Sequence, residues 1–203
     1  MSLKAIAADV ALIQGLLDLG AALPCADELE EALRNLGWPG WRDHENCWPH
    51  GDHKRSHRVP LDLGGGRILH TSIQDDQVTD LCMIFAVFWP PFGREHHEPA
   101  PADGTADPHD DYFGPAFVRH PRARRAAFNM TFERFSQLIG MEIGTPLAER
   151  PSLYDWRRLA WTHHSCLISL IQCDDNLTLG EYDSAQISFV PWALGDPIEP
   201  IEP

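Results

Sequence analysis

The sequence is almost without lysine. Lys4 and Lys54 are the only two, and arginine supplies the rest of 16 basic residues against 30 Asp and Glu, for a formal net charge of −14. That balance excludes nucleic-acid binding across the general surface, because neutralising phosphates needs clustered Lys and Arg. It favours a basic protein partner, met through fast, salt-sensitive encounter. Preference for Arg over Lys reads as GC-rich bacterial coding. Also missing is any uncharged apolar run of about 18 residues, so no membrane span is expected. Ala5 to Leu19 has some signal-like character, but Asp9, Gln14 and Asp18 interrupt it and only Lys4 precedes it. We read it as a helix of a cytoplasmic protein. The cysteines number five, odd and scattered, so no disulfide framework is expected and a reducing compartment follows. No Gly-x-Ser-x-Gly, His-Glu-x-x-His, Walker loop or dinucleotide fingerprint occurs, and no catalytic residue is assigned. Gly64-Gly65-Gly66 lacks the Gly-Lys-Ser/Thr ending of a phosphate loop and joins two strand patterns.

What is present is ordinary globular composition, 43% hydrophobic and 23% charged. We expect a single α+β domain over residues 1–194. Within it, 1–37 is a helical hairpin. Ser2 caps a first helix with Ile6, Val10, Ile13 and Leu17 inward and Gly20 as its stop. Asp27-Glu-Leu-Glu30 has capping-box spacing for the second helix, which Gly37 ends. Residues 38–89 form a Trp/His-rich loop and a three-strand meander: Val59 to Leu63, Arg67 to Gln74 and Val78 to Trp89, joined by short turns. Residues 90–118 are a long Pro-rich connection, of a length that is usually functional or disordered. Residues 119–194 carry a helix and a hairpin. Phe128, Phe132, Phe135 and Ile139 mark one helical stripe. Cys166 to Cys173 is apolar on both faces, as in a central strand, while Ala185 to Val190 alternates, as if one face were wet. Residues 195–203 are too rich in proline to fold locally and form a flexible acidic tail. The architecture is one antiparallel sheet of about five strands with helices on one face, in the order helix-helix-three strands-helix-two strands. That order resembles the type III secretion chaperone arrangement.

Four clusters carry candidate chemistry. His44, Cys47, His50, His53 and His57 lie close enough for one loop to wrap a zinc ion, since imidazole and thiolate are good ligands. No second ligand pair stands nearby, and the competing account is solvated histidines on a loop whose tryptophans pack inward. We therefore expect no cofactor, with zinc as the alternative. Cys166 follows His163 and His164, with Asp155 upstream, which suggests a thiol nucleophile with a base. Yet Cys166 opens a buried strand pattern, where cysteine is a small hydrophobe. Asp174-Asp-Asn-Leu-Thr-Leu-Gly-Glu181 misses the glycine and glutamate positions of a calcium loop and reads as a solvated hairpin loop. Arg119, Arg122, Arg124 and Arg125 form the only basic run. Positive charge opposes the dipole at a helix start, so pairing with the chain's own carboxylates is the simplest account.

The C-terminal third adds a resemblance. Phe135, then Leu138-Ile-Gly140, Gly144-Thr-Pro146, Trp156 and Trp161 precede Leu167-Ile-Ser-Leu-Ile171 and Ile187-Ser-Phe-Val-Pro191. This pattern resembles the closing segment of small bacterial immunity-like proteins of polymorphic toxin systems. The resemblance implies a non-enzymatic protein that binds and neutralises a cognate toxin. The candidate face is Asp174, Asp175, Glu181 and Asp183 in the hairpin loop, with Asp110, Asp111 and Tyr112 in the connection. The runner-up is a zinc-binding protein or metal-dependent hydrolase using the 44–57 tract. Nothing in the sequence sets the oligomeric state.

Overall fold

The chain begins with a strand and not with a helix. The computed structural model describes residues 2–40, 57–75, 77–89, 115–151, 157–174, 182–193 and 196. Strand β1 is Ser2–Ile6, antiparallel to two other strands at once, with Leu3, Lys4, Ala5 and Ile6 all buried. Burial on both faces removes the alternation that announces a strand, which is why the segment reads as the start of a helix. Helix α1 (Val10–Ala21) starts seven residues later than Ser2 would allow, where Asp9 Oδ1 accepts the Leu12 N–H at 2.7 Å as N-cap. Its inward residues are Leu12, Ile13, Leu16 and Leu17, and Val10 is exposed. Gly20 is not its stop. It is buried under Phe189, close enough that an added Cβ would lie 2.8 Å from the ring.

Helix α2 (Ala26–Asn35) is capped at Cys25 without a side-chain hydrogen bond, so the capping box at Asp27 is not formed. Glu30 instead turns inward, buried and paired with Arg34 at 2.9 Å. The expected stop at Gly37 holds. With φ +70°, Gly37 donates to Arg34 O and Trp38 donates to Leu33 O, the paired bonds of a Schellman turn. That turn delivers Trp38 onto α1 at Gly15.

The meander forms as β2 (His57–Asp62), β3 (Ile68–Gln74) and β4 (Gln77–Trp89). The β2–β3 turn uses three glycines with positive φ, and the Asp62 carboxylate accepts the Gly64 and Gly66 N–H groups at 2.9 and 3.1 Å. Then come β5 (Phe117–Pro121), α3 (Arg125–Ile143), β6 (Ala148–Pro151), β7 (Arg157–His163), β8 (Cys166–Asp174) and β9 (Asp183–Pro191). All nine strands join one antiparallel sheet in the order β2-β3-β4-β9-β8-β7-β6. Strand β4 is 13 residues long and forks the sheet: β3 pairs with its first half, and β1, carrying β5, pairs with its second. The protein is therefore α+β, but with nine strands among the described residues in place of about five, in the order β-α-α-four β-α-four β. The element order resembling secretion chaperones is not retained. Strand β9 is interior, buried on both faces between β4 and β8, and has no wet side.

Helices α1 and α3 pack on the sheet face that carries Ile168, Leu170, Ile187 and Phe189. The α3 stripe is as its spacing predicts, with Phe128, Phe132, Phe135 and Ile139 fully buried. A bulge in β4 between Ile84 and Ala86 lets both Phe85 and Phe88 reach α3 despite their odd separation. Phe85 stacks on Phe135 with centroids 3.8 Å apart, and Phe88 on Phe128 at 5.7 Å. Full burial of each such ring contributes about 1.5–3 kcal/mol, so these pairs anchor α3 to the sheet.

Candidate functional site

The thiol hypothesis meets its geometry at the β7–β8 hairpin. Its two-residue turn, His164-Ser165, puts His164 at φ +53° and sets His163 opposite Cys166 in register. The imidazoles of His163 and His164 meet edge to face at 4.2 Å. Cys166 shares the α1 side of the sheet with His163 but lies deeper, in the core, with no exposed surface. Its Sγ lies 3.5 Å from the Leu167 carbonyl oxygen. Burial pushes the thiol up to about 12, outweighing a backbone hydrogen bond from Val190 that favours the thiolate. A neutral, enclosed thiol is neither nucleophile nor ligand at physiological pH. His163 has its pKa lowered, first by burial and then by the neighbouring His164, with Asp18 opposing. Asp155 lies outside the described residues.

The expected acidic face is only partly described. Asp174 ends β8 opposite Asp183, which opens β9. Asp183 is not an exposed loop carboxylate. It is 7% exposed and forms an ion pair with Arg125, and so it leaves the proposed face. Asp110, Asp111, Tyr112, Asp175 and Glu181 lie outside the described residues. So do His44, Cys47, His50 and His53, while His57 opens β2 with its backbone paired to Ile73. Among the described residues no group of three or more His, Cys, Asp and Glu side chains gathers as a metal site.

The Arg125–Asp183 pair belongs to a polar seam that sequence spacing did not reveal. On α3, Arg125, Asn129 and Glu133 are one turn apart. Each meets a polar group on a different strand: Asp183 of β9, Gln172 of β8 (Nε2 donating to Asn129 Oδ1 at 3.2 Å) and Arg157 of β7. Arg157 also reaches Glu149 at 2.9 Å, and the two guanidiniums lie over Phe128 and Phe132 at 5.1 and 5.3 Å from the ring centres. The basic run is thus divided. Arg119 lies in β5, Arg122 takes φ +69° in the turn, Arg124 is the N-cap of α3, and Arg125 is neutralised by Asp183.

One concavity opens on the other side of α3. A groove of about 500 Å³ runs between α3 and the β1–β5 pair, floored by Leu3, Ala5 and Ile6. Its walls include Val118 and Met130, which are 52% and 71% exposed. Among the described residues its lining is apolar apart from His120, Thr131 and Arg134. Among the described residues no helix is long and apolar enough to cross a membrane. No protein-family model, no curated protein and no solved structure matches the chain.

Proposed function

We propose that the chain is a non-catalytic interaction protein that binds a basic protein partner through its acidic surface. The specific form we favour is immunity: binding and neutralising a cognate toxin. The observation that carries the reading is the formal net charge of −14, with carboxylates outnumbering basic groups almost two to one. Such a surface attracts a basic partner from a distance and orients it on approach. Burial of Cys166 supports the non-catalytic half, since the thiol that best matched a nucleophile is enclosed and protonated.

The test is capture from native lysate on tagged full-length chain, followed by purification of the captured partner. We expect one basic protein whose Kd weakens by about tenfold or more between about 50 and about 300 mM salt. If that partner inhibits growth when expressed alone, and co-expression of the chain restores growth, the immunity form is supported. A neutral or acidic partner, or salt-independent binding, overturns the acidic-surface reading.

A further inference from the structure

We propose that the groove between α3 and the β1–β5 pair is a second docking surface, and that its occupant is an acidic segment of a partner protein anchored by large apolar side chains. The inference is independent of the acidic-surface reading, because a basic toxin would be repelled here.

The groove exists because its lining is small. Ala5, Ala7, Ala8 and Ala127 leave room between helix and strands that larger side chains would fill. The floor is apolar, and exposed Val118 and Met130 on its walls are apolar as well. An apolar depression open to water is a favourable place to bury a partner's side chains, and methionine adapts its shape to what it meets. On α3, exposed Met130, Arg134, Gln137 and Met141 continue the same face along the helix.

Charge chooses the occupant. Among the described residues no carboxylate lines the groove, although the chain carries 30 of them. Arg134 and His120 line it, and exposed Arg122 and Arg124 follow where β5 turns into α3. Among the described residues no carboxylate pairs with Arg122, Arg124 or Arg134. Arg125 differs, since Asp183 neutralises it. A positive rim made of Arg134 on the wall, with Arg122 and Arg124 beyond the end of β5, beside an apolar trough on a chain whose net charge is strongly negative, selects a ligand with apolar anchors and flanking Asp or Glu. Like-charge repulsion between the rim and a basic segment supplies the discrimination.

The experiment pans a display library of random peptides, each about 16 residues, against the full-length chain. Enriched peptides are then labelled and titrated by fluorescence anisotropy against the wild type, Met130→Asp, Arg134→Glu and the remote control Leu147→Ser. We expect enriched peptides with net negative charge and two or more large apolar residues. Met130→Asp and Arg134→Glu each weaken their Kd by about tenfold or more, and Leu147→Ser leaves it within about twofold. Both test positions are exposed, and circular dichroism confirms that each variant is folded. Failure to enrich any peptide, enrichment of basic or neutral peptides, or binding indifferent to both groove substitutions overturns the proposal. So does sedimentation showing a dimer of the chain that Met130→Asp dissociates, because the occupant would then be a second copy.

Discussion

Alkylation of the cysteines tests whether the best nucleophile candidate is chemically silent. The perturbation is iodoacetamide at pH 8 on native protein, read residue by residue by mass spectrometry. With its pKa pushed up to about 12, Cys166 is thiolate in about one molecule in ten thousand at that pH. An ordinary thiol near 8.5 is about a quarter ionised, so ionisation alone slows Cys166 by roughly two-thousandfold. Its sulfur also has no exposed surface, so even that fraction requires the chain to open. Half-buried Cys25 and Cys173 should therefore label in the native state, and buried Cys82 and Cys166 only as denaturant unfolds the protein. Linkage gives an independent readout. The folded thiol keeps its proton while the unfolded chain releases it. Stability is therefore untouched below the ordinary thiol pKa and falls as pH rises from there towards 12, by up to about 1.4 kcal/mol per unit. Cys166→Ala should flatten that alkaline limb. Native labelling of Cys166 as fast as that of Cys25 would refute the reasoning and reopen thiol chemistry.

Four further outcomes follow from the same structure. Asp183→Ala should cost about 1–3 kcal/mol in urea unfolding, below the range of a fully buried pair because Arg125 is one-third exposed. A double-mutant cycle with Arg125→Ala should show coupling, and additive single effects would mean the pair contributes nothing. Gly15→Ala should destabilise by about 1–2 kcal/mol, since its Cβ would sit 2.6 Å from the Trp38 ring, while Gly140→Ala, with open space around it, should stabilise by about 0.5–1 kcal/mol. Because the His163 pKa is lowered in the fold, the unfolded chain takes up its proton first on acidification. Stability should fall as pH drops below about 6.5, and His163→Gln should flatten that limb in thermal melts. Elemental analysis should find no stoichiometric zinc; about one ion per chain, lost in Cys47→Ala or His50→Ala, would replace the interaction reading with the metal-binding one.

Periodicity was legible where one face is buried and the other is not. Phe128, Phe132, Phe135 and Ile139 announced α3 because the helix buries a single stripe. The meander was legible from Gly64-Gly65-Gly66, a turn that three positive φ values require. The missed strands failed for different reasons. Strand β1 is covered on both sides, so even Lys4 is buried and no alternation survives. Strand β5 carries Arg119 and ends at Pro121, a composition that reads as connection. Strand β7 was missed because only a helix and a hairpin were read over 119–194, yet Trp161 sits buried in it, its indole Nε1 donating to the Gly144 carbonyl at 3.0 Å. Asp183 was misjudged because a carboxylate beside an acidic loop looks solvated, and only the tertiary fold brings Arg125 to it. The groove was illegible for the same reason: Ala5, Val118 and Met130 become neighbours only when β1 inserts between β4 and β5.

Helix α3 shows how one element serves both stability and contact. Its inner stripe supplies apolar burial, which is strong but indifferent to register. The Arg125, Asn129 and Glu133 seam adds direction, since sliding the helix by one turn would leave Asp183 and Gln172 facing the wrong partners and strand charge in a half-buried place. Position fixed from the inside leaves the outward residues under no packing constraint. Met130 and Met141 are nevertheless large, apolar and exposed there, in line with Arg134 and Gln137, in a chain where acid is the commonest charge. Solubility alone would place Glu or Asp at such positions. Exposed methionines on the outward side of a helix anchored from within fit the contact surface proposed for it: a rigid support on one side and unspent apolar area on the other.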